Sequence, residues 1–119
     1  MPKCPYVELA VVHNEKICGY LLSGAHPSGR YKAAFFSALG FRTHEWRVFA
    51  EALINLAQKE EAFETQTEFG KKYRIEGNLL APDGRAPLIR SIWIYDERQN
   101  ELRLSTAYPL KQRIENEGA

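Results

Sequence analysis

The chain has 119 residues, 45% hydrophobic and 26% charged, with a formal net charge of +1. That length suits a single domain over 1–119, with an ordered core expected at about 7–111 and mobile ends at 1–6 and 112–119. No apolar run approaches the length of a membrane span, and no leader pattern opens the chain, so a cytoplasmic protein that starts at its own Met1 is expected. Cys4 and Cys18 have neither CxxC spacing nor a histidine cluster beside them, and two free thiols in a reducing compartment are expected.

Residues 8–12 form a short apolar stretch, read as extended. Asn14 is a candidate N-cap for a helix over 15–22, with Ile17, Tyr20 and Leu21 as its apolar stripe. A second helix is expected from residue 27 or 28 to 39. Tyr31, Ala34, Phe35, Ala38 and Leu39 follow helical spacing, and Gly40 stops it. Thr43 is a candidate cap for a third helix over 44–62, facing inward with Trp46, Phe49, Ala50, Leu53, Ile54 and Ala57.

Beyond residue 63 the hydrophobic period changes to two. Strands are expected over 63–69, 71–81, 86–95 and 102–108, with Pro82-Asp83-Gly84 as a hairpin turn and Pro109 as a stop. Helices followed by a meander predict an α+β fold: three N-terminal helices packed on one face of a C-terminal antiparallel sheet of three to four strands. Parity places Leu88, Arg90, Ile92, Ile94, Leu102, Leu104 and Thr106 toward the helices, and Ser91, Trp93, Tyr95 and Arg103 on the opposite face, unless a bulge exchanges them.

The charges are unevenly distributed. Arg30, Lys32, Arg42 and Arg47 cluster in 26–47, five glutamates in 51–68, and Lys71, Lys72, Arg74, Arg85 and Arg90 in 69–90. A basic front beside an acidic flank and a solvated acidic helix end both fit this pattern.

His13, His26 and His44 lie in separate segments without HxxxH or HExxH spacing, so no metal site and no cofactor is expected. Nucleotide-binding glycine patterns and a serine-hydrolase elbow are also absent. Attention falls on AHPSGRYKAAFF, residues 25–36. A helix start carries unpaired N–H groups and partial positive charge, so it welcomes phosphate and repels cations. Here Arg30 and Lys32 gather at that end, Gly29 would let a ligand approach the backbone, and His26 stands in place to accept a proton. The plainer alternative makes Ser28 the cap and His26 a structural residue. A second group, Arg90, Trp93, Thr106 and Tyr108, offers a guanidinium that can fork onto phosphate, an indole that could stack a base, and two hydroxyls; packing is the alternative for Trp93, and an ion pair for Arg90.

The strings YLL…HPSGRYKAAFFSALGF, FGKKYRIEGNLLAPDGRAPLIRSIWIY and RLSTAYP resemble a family of small bacterial proteins described as a domain of unknown function, over about residues 9–110. The layout of helices, sheet and a terminal TAYP strand also resembles the barnase–EndoU–colicin–RelE group of ribonuclease toxins, which cut RNA without metal. That resemblance implies His26 as base or acid, Lys32 and Arg90 as phosphate contacts, and Thr106 and Tyr108 completing the site, with Tyr108 orienting phosphate or acting as the acid. It further implies support or stacking by Trp93, an RNA substrate with tRNA as a candidate, and a small antitoxin partner; on an RNA substrate, Arg30, Arg74 and Tyr95 are expected to join Trp93 in RNA-binding. The competing reading is a non-catalytic binding module, immunity- or scaffold-like, with the Trp93 face as its interface. A nucleotide transferase using the same cleft is a third.

Overall fold

A computed structural model describes residues 3–27 and 29–110. Strand β1 (Ala10–Val11) leads into α1 (Asn14–Lys16), which continues as a π-helical turn, Ile17–Leu21; α2 (Arg30–Ala38), α3 (Trp46–Lys59), β2 (Ala62–Thr67), β3 (Gly70–Asn78), β4 (Leu88–Asp96) and β5 (Glu101–Pro109) follow. The sheet has five strands in the order β1-β5-β4-β3-β2. The expected four-stranded antiparallel meander is present as β2 to β5, and the expectation is corrected by β1. This strand precedes the helices and pairs parallel with β5, so the sheet is mixed.

The helices cover one face. Tyr73, Ile75, Ile89, Ser91, Trp93, Leu102, Leu104 and Ala107 point into the core, where Phe36, Phe49, Leu53 and Leu56 meet them. Gly77 sits where α3 crosses β3. A Cβ there would lie 2.8 Å from side-chain atoms of both Leu56 and Glu60, so any larger residue would have to displace them.

The parity of β4 is the reverse of the expectation. Trp93 and Ser91 face inward and are fully buried; the Trp93 indole N–H donates to Ser91 Oγ at 2.9 Å, and Ser91 Oγ donates to the Ile75 carbonyl at 2.9 Å. A pure alternation of apolar types favoured Ile92 and Ile94, but a serine and a tryptophan that satisfy each other can share the core. Trp93 is therefore not available to stack a base or to serve as an interface.

The face of α2 is also rotated from the one expected. Ala33, Phe36 and Leu39 are buried, whereas Tyr31 is 83% exposed and Ala34 and Ala38 are also exposed. Apolar residues surround this helix, so spacing alone does not choose. The choice is made by Phe36, whose ring centre lies 4.7 Å from Phe49, itself stacked on Phe41 at 4.3 Å.

The caps differ too. His13, not Asn14, stands at the N-cap of α1, and a 3-10 turn at Thr43–Glu45 precedes α3 without a side-chain cap. β5 ends at Pro109, as expected, with Pro109 as its last residue and paired with Ile89. The Pro82-Asp83-Gly84 turn closes the loop between β3 and β4, with Gly84 N–H donating to Ala81 O at 3.0 Å, and it also caps α2. Asp83 N–H reaches Leu39 O at 3.2 Å and Arg85 reaches Ala38 O at 3.0 Å, placing a cation at the negative end of the helix. Both cysteines are free thiols. The N-terminal segment is less loose than expected: Cys4 is buried and Tyr6 stacks on Tyr95 at 3.8 Å, while residues 112–119 lie outside the described residues.

Candidate functional site

β1 pairs with β5 only at Leu102 and Arg103. Toward its C-terminal end β5 meets instead the π-helical turn and the start of α2. A bulge sets which side chains it offers there. Trp93 pairs with Leu104 but Ile92 with Thr106, so Ser105 is the extra residue and everything after it changes face. Thr106 and Tyr108 thereby join Arg90 on the outer face, away from the core. Strict alternation from Leu104 would have buried Thr106.

Tyr20 and Lys32 reach over the edge to the same point. Lys32 Nζ donates to Thr106 Oγ1 at 3.1 Å and to the Tyr20 hydroxyl, which is itself 3.0 Å from Thr106 Oγ1. The His26 ring packs edge-on against Tyr20, with centres 4.8 Å apart. Lys32 Nζ lies 5.7 Å from the centre of the Tyr108 ring. Arg90 pairs directly across from Tyr108, donates to its hydroxyl at 3.3 Å, and holds Glu76 at 2.6 Å. His26, Tyr20, Lys32, Arg90, Thr106 and Tyr108 are all half-buried: ordered by the fold, yet reachable. The five residues singled out as catalytic from the sequence thus belong to one connected group.

Tyr20 is the member that sequence reasoning missed. Its spacing to Ile17 fits an apolar stripe, which hides its hydroxyl from a reading by period. Its position in a π-turn, closed by Leu22 N–H to Ile17 O at 2.7 Å, turns its hydroxyl outward while Ile17 and Leu21 stay buried. Burial works to raise the phenol, but the hydrogen bonds from Lys32 and Thr106, with the charges of Lys32 and Lys16, outweigh it and hold the phenol below its ordinary range. The bond to Tyr108, and then the Glu76 carboxylate, hold the Arg90 guanidinium above its ordinary value.

Gly29 has a different purpose from the one expected. It is buried, and a Cβ on it would meet the Tyr20 carbonyl oxygen at 2.7 Å and the Tyr20 ring at 3.0 Å. The group that approaches the backbone here is Tyr20. Ser28 lies outside the described residues. Arg30 departs from the group, lining a shallow groove with Leu22, Tyr31 and Ser37 on another side of α2. Tyr95 is at the other end of the sheet, stacked on Tyr6 in a cleft of about 750 Å³ that Phe69 and Arg103 also line. Arg74 lies on the same outer face as Arg90, with its guanidinium 4.6 Å from the Phe63 ring centre.

Among the described residues, no group of three or more His, Cys, Asp or Glu side chains is placed to hold a metal ion, and no helix is long and apolar enough to cross a membrane.

No curated protein matches the chain. Its fold is shared with a chain from a contact-dependent growth inhibition toxin–immunity protein complex of Klebsiella pneumoniae 342; the TM-score is 0.67 and the identity 19%, over 92% of this chain and 100% of that one. The family resemblance in the sequence holds over residues 3–111, which match the family described as Domain of unknown function (DUF6883), and the chain belongs to that family.

Proposed function

We propose that the protein is an endoribonuclease that needs no metal, with the Tyr20–Lys32–Thr106 group and the Arg90–Tyr108 pair as its phosphate site. The observation that carries this reading is the convergence, at one open strand end, of an ammonium, a guanidinium, three hydroxyls and an imidazole. Lys32 uses two of its three donors within the group, so one remains for phosphate oxygen. Arg90, fixed by Glu76 and Tyr108, keeps further N–H groups for the same oxygens.

The reaction follows from these groups. The 2′-hydroxyl of the RNA gives its proton to His26 and attacks the adjacent phosphorus. The new P–O2′ bond forms as the P–O5′ bond breaks, leaving a 2′,3′-cyclic phosphate and a 5′-hydroxyl. Lys32 and Arg90 stabilise the crowded phosphorane, Thr106 and Tyr108 orient it, and Tyr20 gives its proton to the departing 5′-oxygen. A phenol held below its ordinary range is the better acid for that step. The near-neutral net charge suits docking of one shaped RNA, with tRNA as the candidate, over general binding. The fold shared with a chain of a toxin–immunity complex supports a toxin whose partner protein covers the site.

The test is incubation of the purified protein with total RNA and with tRNA in EDTA. Cleavage with cyclic phosphate ends is expected, with losses of about 10²–10³ for Lys32→Ala and about 10²–10⁴ for His26→Ala. The same likeness favours one other reading, a non-catalytic immunity-type module, because that complex contains both kinds of protein. That module would leave RNA intact and protect cells from a toxin.

A further inference from the structure

We propose that the Arg74–Phe63 pair on the outer face of β2 and β3 is a nucleotide subsite, which holds the base next to the phosphate bound at Lys32. The proposal rests on the ribonuclease reading and names where its single-stranded substrate lies. Three observations lead to it. The strand register sets Phe63 opposite Arg74, Arg74 opposite Ile92, and Ile92 opposite Thr106, in one row across the sheet on the face that carries Arg90. At a strand spacing of about 4.8 Å, Arg74 stands about 10 Å from Thr106, within reach of the adjoining nucleotide.

The second observation is the platform itself. The Arg74 guanidinium lies 4.6 Å from the centre of the Phe63 ring, and Phe63 is 39% exposed on the edge strand. Guanidinium planes and aromatic faces are the surfaces on which unpaired bases stack. Arg74 Nε lies 3.4 Å from the Glu76 carboxylate yet makes no hydrogen bond.

The third is charge. One carboxylate, Glu76, orients two guanidiniums, those of Arg74 and Arg90, so the row retains positive charge for a phosphate backbone. Phe63 and Glu76 also line a groove with Lys3, Lys59, Glu60 and Glu61, which is of mixed sign. Phe63 stands on the edge strand, so the row ends there and the subsite takes one nucleotide.

The experiment measures binding of fully 2′-O-methylated, uncleavable RNA oligonucleotides by fluorescence anisotropy at two salt concentrations, beside cleavage of unmodified RNA. Phe63→Leu keeps an apolar side chain but removes the ring; it should weaken binding about tenfold with the salt slope unchanged. Arg74→Gln should weaken binding and reduce the slope by about one. Phe63→Trp should match or exceed the parent, and Lys59→Gln should behave as the parent. If the parent binds and cuts RNA but Phe63→Leu and Arg74→Gln bind as tightly as it does, the subsite is wrong and the ribonuclease reading stands. Weaker binding by Phe63→Trp, as weak as by Phe63→Leu, would also overturn the subsite. A folded parent that neither binds nor cuts overturns both.

Discussion

At the scale of single residues, the site depends on where Tyr20 is held. Gly29 is the residue that admits it, and the sequence offered a different use for that glycine because it names no neighbour. Gly29→Ala should push the Tyr20 carbonyl and ring away, costing about 1–3 kcal/mol of stability and lowering RNA cleavage at the same time. A thermal melt and a cleavage assay on the same sample check this; an unchanged melting temperature with full activity would show that Tyr20 does not need its present place. Ser91 is a second such residue. It accepts the Trp93 N–H and donates to the Ile75 carbonyl inside the core, so Ser91→Ala strands both buried groups and should cost about 1–3 kcal/mol in denaturant unfolding. His26, Lys32, Arg90, Thr106 and Tyr108 were legible as residue types that suit phosphate chemistry. Tyr20 was hidden because a tyrosine at helical spacing from an isoleucine reads as core.

At the scale of elements, the change of period near residue 63 located the strands, and the Pro82-Asp83-Gly84 turn located the connection between β3 and β4. The bulge at Ser105 was not legible, since nothing in RLSTAYP distinguishes a bulged strand from a straight one, and this bulge carries Thr106 and Tyr108 to the outer face. β1 escaped notice as a sheet member because two residues carry no period. The β4–β5 turn allows a test by pH. The Gln99 N–H, opposed by burial and followed by the Arg103 guanidinium, holds the Asp96 carboxyl below its ordinary range; Asp96 Oδ2 accepts from Arg103 at 2.5 Å. A carboxyl lowered by folding stabilises above its unfolded pKa of about 3.9 and loses that effect as pH falls through the folded value. Asp96→Asn should therefore melt below the parent at neutral pH and converge with it in strong acid. A constant gap across the acid range would contradict this.

At the scale of the whole molecule, the α+β layout was legible, and so was the family, because the motifs span nearly the full chain. Which sheet face carries the chemistry was not, since parity fails at a bulge and the buried Ser91–Trp93 pair imitates an exposed polar face. The inner face of the sheet holds the helices; in the proposed function the outer face would take phosphate at β5 and a base at β2. The central claim is that the group around Lys32 cuts RNA. The direct measurement is end-group analysis of tRNA and total RNA incubated with purified protein in EDTA. Fragments ending in 2′,3′-cyclic phosphate, lost in Lys32→Ala and His26→Ala variants that keep the parent's melting temperature, are the predicted result. Intact RNA at every protein concentration, or equal cleavage by those variants, would contradict the account.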